Sequence, residues 1–562
     1  MDKRRTFAAG EKRVDRFNNR AVDLEDRKRH TARWVCLAFI VMLLFQTAAL
    51  IGWGFLKQGY HIDETTSYIN SNGYYERKIY FFPGFEDVWH TPDYFLESLT
   101  AHADKRFSYA TVVANVARDS NVHPPLFHLA LHTALSLFPG TFSKWLGIAP
   151  NILYFAVGQI FLFLISAWFL GKQKKWLALL PCLIWGFSAG AVSMVLFIRM
   201  YAMLSMWILG LVYFHLRYLS AERPLKWLVL IGLFSFLSFM THYYATVFVF
   251  FLAACFFVFA LVRRGIRASF VYAASVLGGL ALMIACWHTT LTRGIIGSNR
   301  SAQAVDSLKG MSGTQLLHKL SGYLSIVEKA LFGTWMVWIF LGLALLFGAV
   351  LFKALRSSAR GERLRFTPTD KGFAMIFLLV TGVATFLTIV LVAPYRELRY
   401  VAFLLPLLVV ALVLGANRLA ASLFRRRAVL PIAMAVLFAF ITTFSYQNGD
   451  VENLYRDQGT YDAIIARTDC DLAVCFSDAK YRPTLDFMQF MLFDKVYITD
   501  IANIDSIPAI LSDVDSTGGV VVYLDKTADQ SDAIDVICAQ AGFAQYKALY
   551  EDAYYIVYSF SM

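Results

Sequence analysis

His123-Pro124-Pro125-Leu126-Phe127-His128-Leu129-Ala130-Leu131-His132-Thr133-Ala134-Leu135-Ser136-Leu137-Phe138 is the stretch on which the topology of this chain turns. It is apolar overall but only about 15 residues long, where a helix needs about 20 to cross a hydrocarbon core. If it crossed, the next apolar run, 148–170, would direct Lys172, Lys174 and Lys175 outward, and every later basic loop would follow. If it lies in the interface or re-enters, the basic loops 171–175, 222–226, 263–267, 356–371 and 425–427 all fall on the cytoplasmic side. Cytoplasmic loops of membrane proteins carry the excess of Lys and Arg, so the second arrangement is favoured. His123, His128 and His132 also make the stretch too polar for a lipid-facing span.

The rest of the chain supports a membrane reading. It has 562 residues, 58% of them hydrophobic and 16% charged, with a mean hydropathy of +0.53. Soluble proteins carry roughly 25% charged residues. The apolar residues come in separate runs of span length. The first is 34–55; the others are 149–170, 176–195, 202–219, 227–241, 245–262, 268–287, 331–353, 372–393, 400–421 and 428–446. That makes about eleven spans. With the tail 1–33 in the cytoplasm, an odd count puts the C-terminus outside. The net charge of +12 sits mostly in that tail and in the short basic loops, so it predicts no nucleic-acid partner. The tail is long for a signal peptide and shows no small-residue cleavage site. An uncleaved anchor is expected, with a basic arm that touches anionic lipid.

Three further regions are expected outside. The loop 57–122 is rich in Tyr, Phe and Asp and reads as a structured cap on the membrane. The loop 289–330 holds Arg293, Asn299, Arg300 and Gln303 among Gly and Ser and reads as mobile. Residues 447–562 change character. Asp471–Phe476, Lys495–Thr499 and Gly519–Leu524 are short apolar runs of strand length, and Asp529–Gly542 reads as a helix between them. That predicts an α/β domain. Its Cys470 and Cys475 are candidates for a disulfide, with buried free thiols as the equal alternative.

On this topology the polar span ends converge on the outer face. Asp63 and Glu64 follow the first span, in Tyr60-His61-Ile62-Asp63-Glu64-Thr65-Thr66. His123 opens the short segment. Arg199-Met200-Tyr201, His242-Tyr243-Tyr244 and Tyr395-Arg396-Glu397-Leu398-Arg399-Tyr400 join outer span pairs. Any one Arg or Tyr there is more often a snorkelling anchor. Their convergence with an acid pair is what raises a catalytic reading. A carboxylate takes a proton from a hydroxyl or amine, and Arg and His hold phosphate by charge-assisted hydrogen bonds. His128 and His132 stand at i, i+4, a spacing that suits metal, but no acid accompanies them in the helix.

Asp63-Glu64 after the first span, His123-Pro124-Pro125-Leu126, Arg199-Met200-Tyr201, His242-Tyr243-Tyr244 and Arg399-Tyr400 with Leu405-Pro406 resemble the GT-C glycosyltransferases. The resemblance is to the branch of protein O-mannosyltransferases and lipid A aminoarabinose transferases. It covers roughly 34–446, the membrane module. It implies a GT-C polytopic helical fold and transfer, with inversion, of a sugar from a polyprenyl-phosphate donor to an extracytoplasmic glycan, lipid or protein. It implies Asp63 as the base, with Glu64 orienting the acceptor or neighbouring groups. Arg199, His242, Arg396 and Arg399 become candidates for the donor phosphate. Tyr201, Tyr243 and Tyr244 are candidates for the cavity wall, and His123 for shaping the turn beside it. No cofactor or metal is expected, although other GT-C branches use a divalent ion. The plan suits a bacterial plasma membrane. A lipid-linked sugar transporter and a non-catalytic scaffold with an outer binding domain are the alternatives.

Overall fold

A computed structural model of the chain describes residues 30–74, 84–118, 123–289, 309, 311–358, 369–423 and 451–562. Most of the tail 1–33, the span expected at 428–446, the loop 425–427 and residues Arg293, Asn299, Arg300 and Gln303 lie outside the described residues.

Helix α1, His30–Leu56, is followed by α2, Ile62–Ser71. The first loop then supplies strand β1, Val88–His90, and two short helices, α3, Pro92–Leu99, and α4, Tyr109–Arg118. Among its described residues, the structured cap expected over 57–122 thus has three α-helices, a 3-10 turn and a strand. The deciding stretch forms α5, Leu126–Leu137. At 12 residues it rises about 18 Å, well short of the ~30 Å hydrocarbon core. It packs back on α2. His132 Nδ1 lies 2.8 Å from the Ser71 carbonyl, and His128 Nδ1 lies 3.2 Å from Ser71 Oγ. Both histidines therefore tie α5 to α2. Gly73, just past α2, has φ +85, and a Cβ there would stand 2.8 Å from His132 Cε1. Only glycine suits both demands.

The bundle continues with α6, Trp145–Leu170; α7, Leu179–Gly186; α8, Ala189–Leu196; α9, Tyr201–Leu219; α10, Leu225–Phe239; α11, Tyr244–Arg264; and α12, Ile266–Cys286. Then come α13, Gly313–Leu331; α14, Met336–Ser358; α15, Asp370–Val392; and α16, Leu405–Leu423. Among the described residues, eight helices are long and apolar enough to cross a membrane, or nine if one bent pair counts as a span.

Three expectations need correction. The run 176–195 is not one straight helix: it bends by 60° between α7 and α8. Ser188 breaks it there, capping the second half by accepting from Ala191 N at 3.1 Å. The run 227–241 gives α10, only 15 residues long, or about 22 Å. The loop expected over 289–330 contains α13. Its start is a capping box, in which Ser312 Oγ accepts from Gln315 N and Gln315 Oε1 accepts from Ser312 N.

The C-terminal region opens with α17, Arg456–Ile465, and holds β2, Leu472–Ser477; β3, Lys495–Asp500; β4, Val520–Asp525; α18, Gln530–Ala541; β5, Gln545–Glu551; and β6, Tyr555–Ser561. The sheet order is β1-β3-β2-β4-β6-β5. β2 pairs in parallel with both β3 and β4, as the βαβ reading requires. α18 begins and ends at the expected signals: Asp529 caps it, and Gly542 closes it at φ +76.

Side chains alternate across a strand, and here both faces are buried. Leu472, Val474, Phe476, Val520, Val522 and Leu524 pack under Ile534 and Ile537 of α18. Ala473, Cys475, Val521 and Tyr523 are buried on the other face, where Tyr523 meets Phe490 at 5.1 Å between ring centroids. Phe95 of α3 meets Phe487 and Phe490 at 5.0 and 5.3 Å between ring centroids. Burial on both faces is why these strands read as unbroken apolar runs. The edge strand β1 comes from the first loop and pairs with β3, so the cap and the C-terminal domain share one sheet. Cys470 and Cys475 are free thiols, with Cys475 buried on β2.

Candidate functional site

The site begins at the N-terminus of α2. His61 is its N-cap, accepting from Asp63 N at 3.1 Å through Nδ1. Glu64 completes the capping box by accepting from His61 N at 2.7 Å. Helix N-termini favour negative charge, and two acids occupy the first turn. Adjacent residues on a helix do not share a face, so the two acids part ways.

Glu64 turns inward and is fully buried. Oε1 accepts from Ile198 N at 2.7 Å, and Oε2 accepts from Lys57 Nζ at 3.0 Å. Lys57 is buried too. It also donates to the Asn453 carbonyl at 2.8 Å and lies 4.7 Å from the Tyr455 ring centroid. Burial pushes Lys57 down and Glu64 up, and each is opposed by the other's charge. Three donors converge on the Glu64 carboxylate, the arrangement an ionised group needs in the interior. Glu64 therefore faces protein, and its geometry is that of a residue that positions the turn.

Asp63 turns the other way. Protein surrounds it, yet 35% of its side chain stays accessible. Arg399 Nη1 donates to Asp63 Oδ2. Arg199 Nη1 donates to the Asp63 carbonyl at 3.2 Å and to Ser67 Oγ at 3.0 Å. Burial acts to raise the Asp63 carboxyl, but the guanidiniums of Arg199 and Arg399 outweigh it and hold it well below the usual carboxylate range.

Aromatic rings and imidazoles complete the wall. The His123 and His242 rings are 5.5 Å apart, and Tyr201 stands 5.4 Å from His242. His242 Nδ1 accepts from Tyr244 N at 3.0 Å. Tyr244 meets Tyr400 edge-on at 5.4 Å. Asp63, His123, Arg199, Tyr201, His242 and Arg399 thus form one cluster.

One candidate lies apart from it. Arg396 is exposed, and its Nη1 lies 3.2 Å from His318 Nε2 on α13. Alternate positions of the Glu397-Leu398-Arg399 turn point in different directions, so Arg399 enters the cluster and Arg396 does not. Tyr243 is half-buried at the start of α11. Among the described residues, no group of three or more His, Cys, Asp or Glu side chains is disposed to hold a metal ion.

The sequence reading overlooked several neighbours. Glu397 Oε2 lies 2.5 Å from Arg399 Nε. His61 shares the turn with Asp63. The segment 453–458 docks on the acid turn: Gln458 donates to the Tyr60 carbonyl at 3.0 Å and accepts from Tyr60 N at 2.7 Å. Lys57 after an apolar span reads as an interface anchor, and Tyr455 as a linker residue. No local pattern marks either. Gln458→Ala leaves both Tyr60 backbone groups without this partner. A loss of about 1–3 kcal/mol of stability is expected, read from unfolding of the purified protein.

The imidazoles set an acid limit. Burial, with help from Arg399, Arg199 and Lys57 and against Asp63, lowers His61 from 6.5 to about 4. Burial with Arg199 and Arg399 lowers His242 to about 3. Both are neutral in the folded protein, while the unfolded chain takes up protons below about 6.5. Stability is therefore expected to fall as pH drops from 6.5 towards 4. His61→Gln should flatten that fall in the thermal midpoint against pH; an unchanged slope would contradict the assignment.

No family model matches the sequence, and no curated protein matches it. Among solved structures, the chain is similar to ArnT from Cupriavidus metallidurans bound to undecaprenyl phosphate. Identity is 12%, the TM-score is 0.46, and 94% of this chain and 98% of that chain are covered. The apo form of that protein gives 10% identity and a TM-score of 0.48, over 93% and 98%. The oligosaccharyltransferase AglB from Archaeoglobus fulgidus, in complex with an inhibitory peptide and a dolichol-phosphate, gives 11% identity and a TM-score of 0.41, over 90% and 71%. At these values the likeness assigns no activity to the chain.

Proposed function

We propose that this multi-pass membrane protein is an extracytoplasmic glycosyltransferase that uses a polyprenyl-phosphate sugar. The observation that carries the reading is Asp63, a partly accessible carboxylate beside two guanidiniums. The reaction asks for those groups together. Asp63 accepts the proton of an acceptor hydroxyl or amine as that atom bonds to the anomeric carbon. The bond from the anomeric carbon to the phosphate oxygen breaks on the opposite face, which inverts the centre. The electron pair stays on the phosphate, and Arg199 and Arg399 supply the positive charge that this leaving group requires. No cofactor or metal enters this scheme.

An apolar cavity of ≈ 230 Å³ supports the lipid part of the reading. Val401 and Leu404, just beyond Arg399 in the chain, line it together with Leu324, Phe340, Leu378 and Leu408. An isoprenoid tail suits such a lining, with its phosphate at Arg399. His123, Tyr201, His242 and Tyr243 would line the sugar's side, Arg396 would act outside it, and Glu64 would hold the turn rather than touch substrate. We place the module at 34–446 in a bacterial plasma membrane, with the N-terminus cytoplasmic and the α/β domain, 447–562, outside. The acceptor would be a cell-envelope glycan, lipid or protein. The test is mass analysis of envelope glycans and lipids with and without the protein. Loss of one sugar from one acceptor supports the reading, and unchanged profiles for all of them count against it.

A further inference from the structure

We propose that the donor phosphate and Asp63 compete for Arg399, so that arrival of the lipid-linked donor takes the guanidinium from the carboxylate and frees Asp63 to accept the acceptor's proton. The proposal rests on the transferase reading of this site. It follows from a difference between the two arginines.

Arg199 is held by neutral acceptors, the Asp63 carbonyl and Ser67 Oγ. Its Nε is buried, with no hydrogen-bond partner among the described residues. Arg199 can take an anion without surrendering an ionic partner. Arg399 cannot. Its Nη1 donates to Asp63 Oδ2, and its Nε lies 2.5 Å from Glu397 Oε2. Its guanidinium also lies against the Phe197 and Tyr400 rings, with centroids at 5.5 and 5.3 Å. A guanidinium grips phosphate through two parallel N–H bonds from one edge. One edge of Arg399 includes Nη1, which is hydrogen-bonded to Asp63, and the other includes Nε, which lies at ion-pair distance from Glu397 but, like the Nε of Arg199, makes no directed hydrogen bond among the described residues. Phosphate therefore grips the Nη1 edge, the one turned to Asp63, only by exchange with that carboxylate, and the Nε edge only by displacing Glu397.

The exchange has a chemical consequence. Paired with Arg399, the Asp63 carboxylate is a poor proton acceptor. With the Arg399 guanidinium turned to phosphate, Arg199 still opposes the burial that acts to raise Asp63 but one of the two opposing guanidiniums is gone, and the phosphate's negative charge acts with burial. The base is strengthened only when a donor is present. In the transfer step the acceptor atom bonds to the anomeric carbon, the bond to the phosphate oxygen breaks with its electron pair, and the proton ends on Asp63. When the polyprenyl phosphate leaves, Arg399 returns to Asp63 and the proton is lost to solvent.

The test is equilibrium binding of undecaprenyl phosphate to the purified full-length protein in lipid nanodiscs. Asp63→Asn leaves Arg399 without its competing carboxylate, so it should bind roughly tenfold or more tightly than the wild type while losing transfer. Glu397→Gln should also bind more tightly, by a smaller factor. The gain from Asp63→Asn should vanish in the Arg399→Gln background. Saturable wild-type binding that Asp63→Asn leaves unchanged or weakens overturns the exchange and leaves the transferase reading standing. Absence of saturable wild-type binding overturns both. If Asp63→Asn is not recovered as a monodisperse protein, Glu397→Gln decides by the same criterion.

Discussion

Asp63→Asn is expected to lower sugar transfer by roughly 10²- to 10⁴-fold, the range set by loss of a general base, while the protein still folds and inserts. Asparagine keeps the shape of the side chain and can still accept from Arg399, but it cannot take a proton. The α2 turn should survive because its cap is made by His61 and Glu64, not by the Asp63 side chain. The measurement is initial rate against protein concentration, with a gel-filtration profile to establish folding. Disappearance of both the activity and the folded peak would not count, since that outcome reports stability. A folded variant within a factor of about 10 of wild type contradicts a general base at this position.

Lys57→Met is expected to cost about 3–5 kcal/mol, the cost of leaving one member of a buried ion pair alone. Both side chains are fully buried at a separation of 3.0 Å, so water cannot solvate Glu64 once the ammonium is gone. The same substitution also removes the donor to the Asn453 carbonyl, which links the acid turn to the C-terminal domain. Adding Glu64→Leu should recover only part of the loss. The amides of His61 and Ile198 would then lack an acceptor, at about 1–3 kcal/mol each. Equilibrium unfolding in detergent reads these changes. A loss under about 1 kcal/mol for Lys57→Met would show that the pair contributes no more than an exposed one.

Much of the fold was legible because its signals are local. The short, histidine-bearing stretch at 123–138 was too brief to span, and α5 is a 12-residue helix tied to α2. Asp529 and Gly542 marked α18 at both ends. Runs of Val and Leu gave the central strands. Other features depend on contacts distant in sequence. Lys57 meets Asn453 across 396 positions, and β1 joins a sheet built some 400 residues later. Hydropathy has no access to either. The bend at Ser188 lay inside a largely apolar run, where the hydroxyls of Ser188 and Ser193 hardly change the average. The start of α13 was readable as Ser312-Gly313-Thr314-Gln315, but the Gly and Ser around it outweighed the cap.

The candidate site divides in the same way. Convergence of Asp63, His123, Arg199, His242 and Arg399 followed from topology, since each sits at a span end on one side. Their separate orientations did not. Asp63 and Glu64 are neighbours in sequence, yet one stays partly accessible and the other is fully buried. Arg396 and Arg399 are three residues apart, yet the intervening turn sends the first to His318 and the second to Asp63. A motif supplies the residue types, and only the local backbone decides which of them reach the same space.

The central claim is most directly tested by turnover of labelled polyprenyl-phosphate sugars, a panel of hexose, pentose and amino-sugar donors, by the purified full-length protein supplied with envelope extract. The account predicts that at least one donor is converted to free polyprenyl phosphate with the label moved to an acceptor, and that Asp63→Asn fails to do so. No turnover of any donor by the wild type, or equal turnover by Asp63→Asn, would contradict it.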